Sequence, residues 1–142
     1  MDITLKIDAE ESDYLYTQVS QIANAGLGLY TAITIHRSEI IAVFTGETLN
    51  SKQSKKRADK GENAYFLKLP NGDILDTNNS KCLAGFANDA EGTIKSAFKN
   101  NAEIVMDDEQ NICLLAKKKI AAGEEIFCAY GKKYWADKNQ TP

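Results

Sequence analysis

The residues with chemical potential in this chain are few and widely spaced. Gly26-Leu27-Gly28 sets two residues without Cβ atoms around one leucine, a spacing that lets a backbone approach a ligand closely or simply makes a tight loop between strands. It lacks the third glycine and the helix start of a dinucleotide fingerprint. Asn88 can close a turn by bonding its own backbone or present an amide to a ligand. Tyr130 precedes Gly131, and Tyr134-Trp135 forms an aromatic pair, suited either to a core or to stacking on a flat ligand. Neither a Ser/His/Asp set nor a Gly-x-x-x-x-Gly-Lys loop occurs. Cys82, Cys113 and Cys128 contain no Cys-x-x-Cys pair and His36 is the single histidine, which argues against a metal site and against a disulfide framework, and favours a reducing intracellular compartment. The acidic run Asp107-Asp108-Glu109 reads as a solvated hairpin tip rather than a cation site.

The elements that must position these residues are short. The chain has 142 residues, 43% apolar and 26% charged, with 17 Lys plus Arg against 20 Asp plus Glu and a net charge of −3. That is the balance of one soluble globular domain, expected to span 1–142. The longest apolar run, Ile40 to Phe44, is too short to cross a membrane, and the alternating start Met1 to Lys6 is not a signal peptide. Mild acidity argues against direct nucleic-acid binding and suits a basic peptide partner. Alternation predicts a strand at 3–7, a continuous β-branched run ended by Thr45-Gly46 predicts another at 40–44, and turn residues mark a hairpin at 65–75 turning through Pro70-Asn71-Gly72-Asp73 and a second at 102–116. A last strand is expected over 126–130, stopped by Gly131. The lysine-rich stretch 51–63 reads as a solvated loop or short helix. Only 80–90 shows partial helical periodicity, so the expected class is mainly β with little helix.

Six pieces then fall in a telling order: Gly26-Leu27-Gly28-Leu29, Phe44-Thr45-Gly46-Glu47, Tyr65-Phe66-x-x-Leu69, Gly85-Phe86-Ala87-Asn88-Asp89, Asn101-Ala102-Glu103-Ile104, and Gly123-Glu124-Glu125-Ile126 through Tyr130-Gly131 to Trp135. In that order, over about 20–135, they resemble the SET-domain family of protein lysine methyltransferases. The resemblance implies a β-clip fold of several small sheets with a C-terminal pseudoknot, S-adenosylmethionine as methyl donor, and a lysine of a protein or peptide (a histone among the candidates) as acceptor. It casts Gly26, Leu27, Gly28, Tyr65, Asn88, Asp89, Tyr134 and Trp135 as cofactor-binding residues. It casts Tyr130 as the catalytic tyrosine, and Tyr65, Cys128 and Tyr130 as lining a lysine channel.

The chain departs from the family pattern at three places. Asp89 stands where the family usually has His, Ala129 where it usually has Asp, and Cys128 where Phe or Tyr is frequent. A small residue at 128 implies room for a multiply methylated amine. The first two departures keep a rival in view: a catalytically silent SET-like domain that binds a peptide or partner. The cysteine-rich zinc modules that often flank the family's domain are absent from these 142 residues.

Overall fold

The computed structural model describes residues 5–63, 66–69, 72–77, 82–92, 96–109 and 111–129. In chain order the elements are β1 (Leu5–Lys6), the single turn α1 (Glu11–Tyr14), β2 (Leu15–Val19), β3 (Leu27–Thr31), β4 (Glu39–Val43) and β5 (Glu47–Leu49). Next come α2 (Ser51–Asp59), β6 (Phe66–Lys68), β7 (Ile74–Asp76) and a 3-10 turn (Leu83–Phe86). The last are β8 (Ala102–Met106), β9 (Ile112–Ala116), β10 (Glu125–Ile126) and β11 (Cys128–Ala129). The strands make three small sheets, ordered β1-β4-β9-β8-β11, β10-β3-β2 and β5-β7-β6. The expectation of a mainly β, several-sheet SET-type fold is met.

The 102–116 hairpin has the expected register, from Ala102 opposite Ala116 to Met106 opposite Ile112. Its acidic tip is held by its own aspartate. Asp107 Oδ1 accepts from the backbone N–H of Glu109 (2.9 Å) and Asn111 (2.8 Å), and the bond from Asn111, foremost, holds the carboxyl below its usual range. Stretch 51–63 resolves the choice between loop and helix: α2 is a helix that buries none of its residues, so no apolar period marks it. A capping box fixes its start, with Asn50 Oδ1 accepting from Gln53 N (2.8 Å) and Gln53 Oε1 from Asn50 N (2.9 Å). Arg57 ties it down by bridging Glu47 and Asp76, each at 2.8 Å. Those two carboxylates are direct cross-strand partners, a like-charge pairing that the guanidinium offsets.

Residues from all three sheets meet in one core, with Leu29, Ile41, Leu114, Ile120 and Ile126 essentially removed from solvent. The β4–β9 register slips between Ile40 and Ala42, the mark of a bulge. There the Tyr14 hydroxyl donates to the Ile41 carbonyl (2.6 Å) and Glu11 Oε2 accepts from Val43 N (2.9 Å). A four-residue helical turn, too short to show in the sequence pattern, is thus tethered across the bulge. The expected strand 126–130 is not one strand among the described residues. It breaks at Phe127 into β10 and β11, which belong to different sheets.

Burial, helped by the nearby Glu11 and Glu39 carboxylates, pushes the Tyr14 phenol from 10.0 up to about 12. The folded state therefore holds this proton more tightly than the unfolded chain, so its contribution is intact below pH 10 and is lost as pH rises toward 12. Tyr14→Phe is expected to cost about 1–2 kcal/mol near neutral pH and to flatten part of the alkaline loss. Urea unfolding across that range checks this, and an unchanged alkaline decline would contradict it.

Candidate active site

The β2–β3 hairpin turns through Ser20 to Gly26, closed by a bond from Ser20 N to the Gly26 carbonyl (2.8 Å). Gly26 has φ +74°, and nothing lies within 4 Å of where its Cβ would project. The left-handed backbone there favours glycine, and the space beside it is open. Gly28 is different. Its φ is ordinary, but a Cβ would strike the Glu125 carboxylate. The sequence suggested that both glycines clear space for a ligand; at Gly28 the space is filled by another part of the chain.

Glu125 is 2% exposed. Its Oε2 accepts from Ser20 Oγ (2.6 Å), and its Oε1 from Gln21 N (2.8 Å) and the Tyr30 hydroxyl (3.2 Å). Nothing in the residue pattern alone singled out Ser20 or Tyr30. Glu125 lay inside the Gly-Glu-Glu-Ile motif, and its burial is the signal that separates it from exposed Glu124.

Asn88 joins the hairpin to the C-terminal strands. Its Nδ2 donates to the Leu27 carbonyl (3.1 Å) and its own carbonyl accepts from Cys128 N (2.9 Å), with Asn88 and Phe127 bridged in parallel. Its carboxamide oxygen accepts no bond from the described residues, leaving an acceptor on the amide that holds Leu27. The neighbouring Asp89 is turned inward: Oδ1 accepts from Glu91 N (2.9 Å) and Asn100 Nδ2 (3.0 Å). The acidic side chain that replaces the family's usual His thus satisfies its own loop.

Two adjacent asparagines hold the pieces together. Asn100 Oδ1 accepts from Ala90 N (2.8 Å), and Asn100 N donates to Glu91 Oε2 (2.8 Å). Asn101 Oδ1 accepts from Phe127 N (2.8 Å), and its Nδ2 donates to the Glu125 carbonyl (3.0 Å). The backbone N–H groups of Asn101 and Ala102 both reach the Phe127 carbonyl (3.0 and 2.9 Å). Below this junction Phe127 stacks on Phe98, ring centroids 5.3 Å apart.

Of the residues singled out in the sequence, Gly26, Leu27, Gly28, Asn88, Asp89 and Cys128 are gathered into this one region. Tyr65, Tyr130, Tyr134 and Trp135 lie outside the described residues. Cys128 is completely buried, and burial, reinforced by Asp89, pushes its thiol up to about 12. It is a packed neutral thiol at ordinary pH. The three cysteines are buried and free, and among the described residues no group of His, Cys, Asp and Glu could hold a metal ion. Likewise, no described helix is long and apolar enough to cross a membrane. Leu27 and its strand partner Val19 leave an apolar surface exposed beside the Asn88 amide.

The SET domain family profile matches residues 26–131, and the chain belongs to that family. Histone-lysine N-methyltransferase EZ1 of Zea mays is 27% identical over 109 residues, covering 75% of this chain and 11% of the maize protein. Histone-lysine N-methyltransferase CLF of Oryza sativa subsp. japonica is 26% identical over 128 residues, covering 83% and 14%. Histone-lysine N-methyltransferase trr of Drosophila melanogaster is 30% identical over 131 residues, covering 88% and 5%. The chain thus spans a small fraction of the length of each relative.

Asn101→Ala removes two buried side-chain bonds and strands the Phe127 N–H. A loss of about 2–4 kcal/mol is expected, read by urea unfolding; a change below about 0.5 kcal/mol would show that the clamp is dispensable.

Proposed function

We propose that this chain transfers methyl groups from S-adenosylmethionine to a lysine side chain of a protein substrate. One observation carries the reading. Asn88 fastens the open glycine loop through its side chain and, through its main chain, the strand that ends one residue before Tyr130. A donor held at the loop and an acceptor guided by Tyr130 would therefore share one rigid reference.

The donor fits what is present. The bare Gly26 backbone, the unused Asn88 carboxamide oxygen and the exposed Leu27 offer main-chain polar groups, an acceptor for an amino group and apolar contact area, the mixture a nucleoside with a methionine tail needs. When bound, S-adenosylmethionine supplies an electrophilic sulfonium methyl. The Asp89 main chain, Tyr65, Tyr134 and Trp135 complete its binding in this proposal, the aromatic pair giving stacking area at low entropic cost. Tyr130 orients the lysine amine in line with the methyl, so alignment and electrostatics do most of the work. The amine must be neutral to attack, and an apolar channel favours loss of its proton by desolvation. Similarity to histone-lysine N-methyltransferases makes histone-tail peptides the first acceptors to test.

With labelled donor and such peptides, Tyr130→Phe is expected to lower transfer by about 100-fold or more while binding of S-adenosylhomocysteine persists. Transfer at the wild-type rate would remove Tyr130 from its role, and binding without transfer by the unaltered chain would favour the silent peptide-binding domain.

Cys128 has a smaller side chain than Phe or Tyr and lies wholly in the core, so its influence would come through the volume behind the channel wall. Mass spectrometry of the product is expected to show di- or trimethyl-lysine. Monomethyl-lysine alone would contradict this.

A further inference from the structure

Glu125 poses a question that the core does not answer. Burying a carboxylate costs several kcal/mol unless donors replace its water, and an apolar side chain at this point in β10 would be less expensive. Among the described residues no Lys, Arg or His forms an ion pair with it. Its oxygens are satisfied instead by Ser20 Oγ, Gln21 N and the Tyr30 hydroxyl.

All three donors belong to the β2–β3 hairpin, and two of them open the turn that ends in Gly26. The Ser20 hydroxyl also accepts from Ile22 N (3.1 Å), so the carboxylate orients a hydroxyl that in turn shapes the turn. The single Tyr30 hydroxyl proton is shared between Glu125 and the nearer Val19 carbonyl (2.7 Å). On the opposite side Gly28 has only the room the carboxylate leaves it. Glu125 therefore touches the glycine loop at its first residues, along its strand and at its second glycine.

We infer that Glu125 is a positioning residue. It acts through Ser20 and Gln21 to hold the Gly26–Gly28 backbone in the conformation that receives the adenosyl donor, an inference that rests on the function proposed above. The chain passes from β10 through Phe127 directly into β11, so the carboxylate ties the place of the loop to the segment that enters Cys128–Ala129. A merely space-filling residue would need neither the carboxyl group nor the donors that Ser20 and Gln21 direct at it.

The test compares wild type, Glu125→Gln and Ser20→Ala. The amide keeps the size of Glu125 but turns a donor toward at least one of the three groups; the alanine removes one anchor and leaves the carboxylate in place. Calorimetry with S-adenosylhomocysteine is expected to show a Kd raised about tenfold in Glu125→Gln and severalfold in Ser20→Ala. KM for the donor should rise while KM for the peptide stays within twofold, a split that general loosening of the fold would not produce. Amide exchange in the ligand-free variants should quicken over residues 21–28 and stay unchanged in β8 and β9. If Glu125→Gln does not fold, Ser20→Ala carries the test alone. A folded variant with wild-type Kd, KM and loop exchange overturns the inference. Failure of the wild type to bind S-adenosylhomocysteine overturns the proposed function instead, and unchanged loop exchange would then still overturn the positioning role.

Discussion

Phe127 and Cys128 have no hairpin partner of their own, and everything at the candidate site depends on how their main chain is held. The Phe127 carbonyl takes two N–H groups from the start of β8, its N–H goes to the Asn101 side chain, and Cys128 N goes to the Asn88 carbonyl. The segment is thus fixed between two earlier stretches of chain, parallel to both. This crossing brings the glycine loop and Cys128–Ala129 into one neighbourhood. Apolar packing could not do this alone, because it is non-directional, whereas a one-residue slip of the segment would turn every side chain to the opposite face.

The polar groups at the crossing supply the direction. Asn100 faces the 89–91 turn, Asn101 faces 125–127, and Glu125 faces the β2–β3 turn. Among the described residues no buried side-chain nitrogen or oxygen lacks a partner. Fully satisfied networks of this kind stiffen and specify a structure, while a network with one member missing is costly. Polar interactions at the crossing thus fix register, while Leu29, Ile41, Leu114 and Ile126 join the sheets through apolar packing.

Local pattern carried part of this to the reader of the sequence. The 102–116 hairpin was legible because alternation and turn residues are both local, and the run at 40–44 because it is β-branched and bounded by Thr45-Gly46. The helix at 51–59 was ambiguous because it buries nothing; the pair Asn50 and Gln53 is the local sign that separates it from a loop. The break at Phe127 could not be seen, since it is made by partners 26 and 39 positions away, Asn101 and Asn88. At the site, motif order brought together Gly26, Leu27, Gly28, Asn88, Asp89 and Cys128. It did not reveal that Gly28 makes way for Glu125, because a glycine does not announce which atom needs the space. Tyr65, Tyr130, Tyr134 and Trp135 stand on the resemblance alone.

In the proposed function a donor nucleoside sits against the glycine loop and Asn88. Backbone amide shifts recorded by NMR while S-adenosylhomocysteine is added to the labelled protein address it directly. Saturable changes are expected to concentrate in residues 20–28 and 86–89, with α2 and the β5-β7-β6 sheet nearly silent. Saturable changes confined to α2 or to the β8–β9 hairpin, or none at all, would contradict it.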